Sequence, residues 1–228
     1  MLAVRAQAEE LMDADDLDPA IFAAVMHDLA RVNTVTMARR PTLAFLKSIL
    51  ADRQHIRLLD VGYGDGDMLR AIARFAQKRS IVAELVGIDL NPRSAAAAKA
   101  ATPPDLPIAW LTGDYASLAG QGFDVIISSL VAHHMSPAQL IAFLRFMERE
   151  AKLGWFINDL HRHGFAWMGY PLLAWLMRWH PIVRHDGQLS IARSYRPGEW
   201  PAILGEAGIS NASVKRHFPF RLCVAQHR

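Results

Sequence analysis

From Arg57 onward the apolar positions switch between two rhythms. Short apolar runs at about Arg57–Val61, Ala83–Asp89, Ile108–Leu111, Phe123–Ser128 and Trp155–Asn158 have the length of strands. Phe123–Ser128 is nearly continuous in its apolar character, which marks a strand in a sheet covered on both faces. Between the runs lie stretches with helical spacing. One spans about Asp67 to Gln77. A second is rich in alanine, capped by Asn91, with Pro92 at its first position. A third starts at Ser136-Pro137 and runs to about Ala151. Strand and helix alternating at this rhythm predict an α/β fold with a doubly wound, mostly parallel sheet and right-handed crossovers.

The two ends of the chain depart from that rhythm. Asp18 can cap a helix opened by Pro19, and Ile21, Phe22, Val25, Met26, Leu29 and Val32 then recur at helical spacing. Pro41 is read as opening a second helix with Leu43, Leu46 and Leu50 on one face, leaving Asn33, Arg39 and Arg40 in a loop between the two. Residues 1–50 hold too little apolar surface for a core of their own, so they are expected to lie as a helical lid over a main domain of residues 51–228. Near the other end, Phe165–Trp179 reads as an apolar helix rich in Trp, Met and Leu, part of a cap segment at about 162–196. Pro197–Ala207 reads as a further helix closed by Gly208. Ser213–His217 and Leu222–Gln226 read as two strands around Phe218-Pro219-Phe220. So short a linker implies antiparallel pairing, and a seven-stranded sheet with an antiparallel C-terminal strand.

Composition narrows the class. The chain has 228 residues, 52% hydrophobic and 21% charged, which suits one domain with elaborations. The net charge is +3, with the basic residues scattered rather than clustered, so no nucleic-acid partner is expected. A single cysteine, Cys223, allows neither an intramolecular disulfide nor a Cys-rich zinc site, and a reducing, cytoplasmic setting is expected. Glu9, Glu10, Asp13, Asp15 and Asp16 stand where a secretory signal needs an apolar core. Phe165–Val183 is the most apolar stretch, but Pro171, Arg178 and His180 interrupt it, so no stable membrane insertion is expected.

The chemistry begins at Leu58-Leu59-Asp60-Val61-Gly62-Tyr63-Gly64-Asp65-Gly66-Asp67. An apolar run ends in an acid, three glycines follow at every second position, and a helix starts. Glycine admits positive φ and close approach of a ligand to the main chain, while the helix start presents free N–H groups. The spacing is G-x-G-x-G, not the dinucleotide pattern G-x-G-x-x-G, and no Lys-Ser or Lys-Thr follows as a P-loop requires. Asp89 lies 23 residues past Gly66 at the end of the second strand, where a carboxylate can accept both hydroxyls of a ribose.

Leu-Asp-Val-Gly-Tyr-Gly-Asp-Gly (59–66), Gly-Ile-Asp-Leu-Asn-Pro (87–92), Gly-Asp-Tyr (113–115) and Phe-Asp-Val-Ile-Ile-Ser-Ser-Leu-Val-Ala-His-His-Met (123–135) resemble, in order and spacing, the successive motifs of class I S-adenosylmethionine-dependent methyltransferases. The resemblance covers about residues 55–160 and extends to the quinone and polyketide-type small-molecule enzymes of bacteria. It implies a Rossmann-like fold and S-adenosylmethionine as cofactor, with S-adenosylhomocysteine as product. It implies that Asp60, Gly62, Gly64 and Gly66 hold the methionine part, with Tyr63 beside it. Asp89 would then bind the ribose hydroxyls, Leu90 would lie beside the adenine, and Gly113 and Asp114 would meet its amino group with Tyr115 packed nearby. Ser129 would complete the cofactor side. Asp89 and Asp114 are also placed to cap the turns that follow them.

Methyl transfer to a hydroxyl needs in-line alignment and removal of a proton. The strand ends carry His133 and His134, then His161 and Asp159, and these histidines are the candidate bases, His133 before His134. Adjacent histidines at this place equally pack under the loop and hold its backbone. Asn158-Asp159 resembles part of the magnesium set of catechol methyltransferases, but residues 128 and 129 are serines, so no metal is expected. The Trp- and Met-rich segment after the fifth strand suits a flat apolar acceptor. The expected activity is therefore methylation of a small molecule, an aromatic or polyketide-like hydroxyl first, with C- or N-methylation as the alternative. A nucleic-acid methyltransferase is disfavoured because the place of its Pro-Pro-Tyr motif reads Ser-Ser-Leu-Val (128–131). A cofactor-binding pseudoenzyme stays open, as does the choice between monomer and homodimer.

Overall fold

The computed structural model of the protein describes residues 2–14, 16–50 and 53–228. Among these residues the strands are β1 (His55–Val61), β2 (Val82–Asp89), β3 (Ile108–Thr112), β4 (Val125–Ser129), β5 (Gly154–Leu160), β6 (Ser213–His217) and β7 (Arg221–His227). They form one sheet in the order β3-β2-β1-β4-β5-β7-β6. Strands β1 to β5 pair in parallel, whereas β7 runs antiparallel to both β5 and β6. The helices are α1 (Pro19–Val35), α2 (Arg39–Ile49), α3 (Asp67–Gln77), α4 (Pro92–Ala101), α5 (Pro137–Glu150), α6 (Gly164–Leu176), α7 (Pro181–Arg193) and α8 (Trp200–Ala207). The seven-stranded α/β architecture with an antiparallel C-terminal strand is the one the apolar rhythm predicts.

Alternation within the strands builds two core layers. Leu58 and Ile127 face α2 and α3, packing with Phe45, Leu46, Leu69 and Ile72. Leu59 and Ile126 face the other way, onto Phe143 and Leu144 of α5 and Trp200 of α8. Leu58, Leu59, Ile126 and Ile127 are all fully buried, each worth about 1.5–3 kcal/mol of apolar transfer. In the sheet register Asp60 pairs with Gly87 on one side and Ile127 on the other. The carboxyl ends of β1, β2 and β4 therefore finish side by side, with the strand order reversing at β1/β4. That is where an open α/β sheet leaves its ligand crevice.

Three local expectations are corrected. α2 starts at Arg39, two residues before Pro41, because a proline in the first turn removes only an N–H that has no intrahelical partner. Asn33 accordingly lies inside α1, and Arg39 and Arg40 inside α2, rather than in a loop. The expected single helix 165–179 ends at Leu176. Arg178 takes φ 55°, and Pro181 opens α7 with the His180 side chain accepting from Ile182 N at 3.2 Å. α7 was not expected, because its buried face carries polar residues, Asp186, Ser190 and Arg193.

The boundary expected at residue 50/51 touches Ala51 and Asp52, which lie outside the described residues, as do Met1 and Asp15. α2 is built into the core, with Phe45 stacked on Phe156 at 4.7 Å. Of the N-terminal region, α1 and the segment before it cover the strand ends. They pack with α6 and α7 around Val25, Ala174, Trp179 and Val183. No described helix is long and apolar enough to cross a membrane.

Candidate active site

The turn after β1 is held in one shape by its neighbours. Gly62, Gly64 and Gly66 have φ of 77°, 58° and 79°. A Cβ on Gly62 would lie 2.3 Å from a Val131 methyl, and one on Gly66 would lie 2.3 Å from the Trp110 ring. Only glycine satisfies both the backbone angle and the packing. Gly64 N donates to Asp89 Oδ2 at 2.9 Å, tying the turn to the end of β2. Asp89 Oδ1 accepts from Asn91 N at 2.8 Å, and Asn91 in turn caps α4. Asp89 thus both supports the turn and starts the next one.

Three acids gather behind this turn. Asp60 is completely buried, and neither of its oxygens has a hydrogen-bond partner among the described residues. Burial, with Asp67 and Asp89 nearby, pushes its pKa well above the usual carboxylate range. Asp67 rises to about 6. Burial and the Asp65 charge outweigh Arg39, Arg70 and a 3.4 Å hydrogen bond from Asn33 Nδ2. Burial also raises Asp89, against its two backbone hydrogen bonds. The cluster holds more negative charge than the surrounding side chains compensate.

A second cluster lies beyond β4 and β5, and here every acid is partnered. His133 Nδ1 meets Asp159 Oδ1 at 2.7 Å, and His133 N donates to Asp159 Oδ2 at 2.8 Å. His133 Nε2 faces Glu10 Oε1 at 3.7 Å, and His134 Nε2 faces the same oxygen at 3.8 Å. Ser190 Oγ donates to Glu10 Oε1 at 2.7 Å. Burial alone would lower the His133 pKa, but Asp159 and Glu10 overcome it and raise it to about 9. Glu10 falls to about 2, its burial outweighed by His133, His134 and Ser190. His133 is therefore held between two carboxylates, Asp159 at Nδ1 and Glu10 at Nε2.

Glu10 reaches the site because the N-terminal segment is strapped to α7. Asp186 accepts from Leu11 N at 3.0 Å and Met12 N at 2.9 Å. Arg5 donates to the Arg193 carbonyl at 2.6 Å and lies 3.8 Å over the Tyr195 ring. Nothing in the sequence marks Glu10 for the site; its acidic run speaks only against a secretory signal.

Between the two clusters lies a cavity of about 380 Å³. Asp60, Gly62, Tyr63, Gly64, Asp67 and Ser129 line one side, and Glu10, His133 and His134 line another. Met26, Leu29 and Val32 of α1 and Phe165, Tyr170 and Leu173 of α6 close over it. Arg221 also reaches the wall, buried and donating to Thr36 Oγ1 at 3.0 Å.

The remaining expected site residues fall elsewhere. Leu90 is 74% exposed and Asp114 is exposed, with the Asp114 side chain accepting from Ala116 N at 2.8 Å. Gly113 N donates to the Asp89 carbonyl at 2.9 Å. Neither these three nor Asp89 is among the residues that line the cavity. The Tyr115 ring is turned into the core, 4.9 Å from Phe143 and 4.8 Å from Phe146, rather than toward a cofactor. Tyr63 is also a packing residue, buried 4.9 Å from Trp110, and burial pushes its phenol up to about 12. His161 lines a smaller pocket with His163 and His217, away from His133 and His134. Asn158 lines the cavity, and its Nδ2 donates to the Ala38 carbonyl at 2.7 Å and to Thr42 Oγ1 at 3.1 Å.

Comparison with known proteins agrees with this geometry. Residues 58–154 match the family model described as a methyltransferase domain. An uncharacterized methyltransferase of Synechocystis sp. is 32% identical over 123 residues, 53% of this chain and 54% of the relative, so the aligned stretch spans about half the relative's length. A SAM-dependent methyltransferase from Aquifex aeolicus superposes with a TM-score of 0.63 at 18% identity, covering 92% of this chain and 98% of that one. The magnesium protoporphyrin IX methyltransferase of Synechocystis PCC 6803, solved with bound SAH, gives 0.59 at 16% identity over 95% and 91%. Human N-acetylserotonin methyltransferase in complex with SAM gives 0.65 at 17% identity, covering 98% of this chain and 60% of that one. At these identities the structural likeness is one of fold. Residues 58–154 thus resemble a methyltransferase domain, set in the Rossmann-like fold shared with these structures.

Proposed function

We propose that the protein transfers the methyl group of S-adenosylmethionine to a small-molecule acceptor, a hydroxyl of an aromatic or polyketide-like metabolite. The observation that carries the reading is the buried Asp60 carboxyl behind the glycine turn, neither of whose oxygens has a partner among the described residues. S-adenosylmethionine brings a sulfonium and an ammonium, so its methionine end supplies the missing partner. A ligand cation would return this carboxyl toward its ordinary pKa. Asp89 keeps lone pairs for ribose hydroxyls beyond its two backbone bonds. The adenine then lies over Leu90, Gly113 and Asp114.

The apolar walls from α1 and α6 hold the acceptor against the turn and exclude water, which suits a flat ring system. In the reaction the acceptor oxygen forms a bond to the methyl carbon as the carbon–sulfur bond breaks, and S-adenosylhomocysteine leaves. The acceptor proton leaves at the Glu10–His133–His134 cluster, which borders the same cavity. Two of the structural neighbours fit this reading. One acts on magnesium protoporphyrin IX and another on N-acetylserotonin, both small molecules.

Titration calorimetry with S-adenosylmethionine and S-adenosylhomocysteine tests the cofactor half. Saturable binding is expected, and its absence at millimolar ligand would refute the proposal. For the proton, turnover of His133→Ala and His134→Ala is compared across pH. Unchanged turnover in both variants removes the cluster from the chemistry.

A further inference from the structure

The acids of the second cluster are partnered, but its histidines are arranged in a way that ion pairing alone does not need. Both rings present their Nδ1 to a carboxylate and their Nε2 to a common point. His133 Nδ1 lies 2.7 Å from Asp159 Oδ1, and His134 Nδ1 lies 3.4 Å from Asp13 Oδ2. The two Nε2 atoms lie 3.7 and 3.8 Å from one oxygen of Glu10. One ligand atom from each of Glu10, His133 and His134 falls within 4.8 Å of the others.

We propose that Glu10, His133 and His134 form a binding site for a divalent transition-metal ion of the zinc type. Two imidazoles and one carboxylate are a donor set suited to such an ion and leave coordination positions open. A small contraction of the present separations brings all three donors to the usual bond lengths of about 2.0–2.2 Å. The supporting shell is already built. Asp159 holds the His133 tautomer that leaves Nε2 free, Asp13 lies 3.4 Å from His134 Nδ1, and Ser190 Oγ orients Glu10 from 2.7 Å. Arg193 is the nearest competing cation, 3.7 Å from Glu10 Oε1, the oxygen already taken by Ser190. Oε2 has no hydrogen bond among the described residues.

Two of the three ligands are buried and the third, His134, is 31% exposed. All three line the cavity. An oxygen of a molecule in the cavity can fill an open position, where the ion's charge promotes loss of its proton. Glu10 comes from the N-terminal strap, outside the residues that match the methyltransferase domain. Binding the ion therefore also fastens the strap over the cavity.

The inference rests on the cluster alone and is independent of the methyl-transfer reading. The test uses the full chain with any affinity tag removed, stripped with a chelator and titrated with Zn2+ and Co2+. Elemental analysis counts the ions, and the Co2+ absorption spectrum reports the ligand set. One ion per chain is expected, with a nitrogen- and oxygen-ligated Co2+ spectrum. His134→Ala, the least buried ligand, loses at least tenfold in affinity. Asp159→Asn loses about 10–100-fold through the supporting shell. His163→Ala, at the other histidine pocket, leaves binding unchanged. No saturable binding by the wild-type chain overturns the proposal. So does binding that survives His134→Ala or that is lost in His163→Ala. S-adenosylhomocysteine binding measured on the same samples separates failure of this site from failure of the cofactor site.

Discussion

Asp60 on β1 and Asp159 on β5 flank the same strand, β4, and both are completely buried, yet their surroundings drive them in opposite directions. Burial pushes each carboxyl up. At Asp159 that push is outweighed by the His133 charge, the His133 ring hydrogen bond and the backbone N–H groups of Leu160 and His133, so its pKa falls. At Asp60 nothing answers it, and Asp67 and Asp89 push the same way. One acid is complete within the fold. The other has no hydrogen-bond partner among the described residues. Burial by itself therefore does not tell a structural carboxylate from a ligand-binding one; the presence or absence of partners does.

The strongest attack on this contrast is Asp159→Ala. It strips His133 of its counter-charge and of a backbone acceptor, and it should lower the unfolding free energy by about 3–5 kcal/mol, read by urea denaturation. Near-wild-type stability would show that the second cluster holds nothing together. Next is Asp89→Ala, which removes an acceptor for the ribose diol and the Gly64 tie together. Affinity for S-adenosylhomocysteine should fall by about 2–3 kcal/mol in calorimetry.

Asp60→Asn separates stability from binding. The unliganded protein should melt no lower than wild type, because a buried unpartnered acid is lost. Affinity for S-adenosylmethionine should still drop by about 1.5–3 kcal/mol. A lower melting point with unchanged affinity would reverse the roles assigned here.

The smallest effect is in pH. The folded pKa of Asp67, about 6, lies above the ordinary 3.8, so the native state binds the extra proton. Its contribution to stability is full below about pH 4 and is lost as pH rises through 6. Asp67→Asn should flatten that part of the stability profile of the unliganded protein, and saturating S-adenosylmethionine should flatten it in the wild type.

Much of the first region was readable along the chain. The strands that end in Asp60, Asp89 and Ser129 are apolar runs bounded by turn residues. The three glycines carry their geometry in their spacing. Local rules fail where a contact spans most of the chain. Glu10 meets Ser190 across 180 residues, and Arg221 meets Thr36 across 185. α7 hid from periodicity because its inner face is polar, and that face is polar because Asp186 and Ser190 grip the N-terminal strap. Tyr115 illustrates the opposite error. It is adjacent in sequence to Asp114, an expected adenine contact, but its side chain belongs to the α5 packing layer.

The sequence by itself determined the alternation that makes a parallel sheet. It also determined the turn that only glycine can make and the acids at the strand ends, because each depends on residues within a few positions of one another. Only the tertiary structure decided which acids are satisfied and which histidines meet. Only the tertiary structure showed that the chain's first residues complete the cavity wall. Those outcomes depend on desolvation and on partners brought from distant segments, and no local pattern records either.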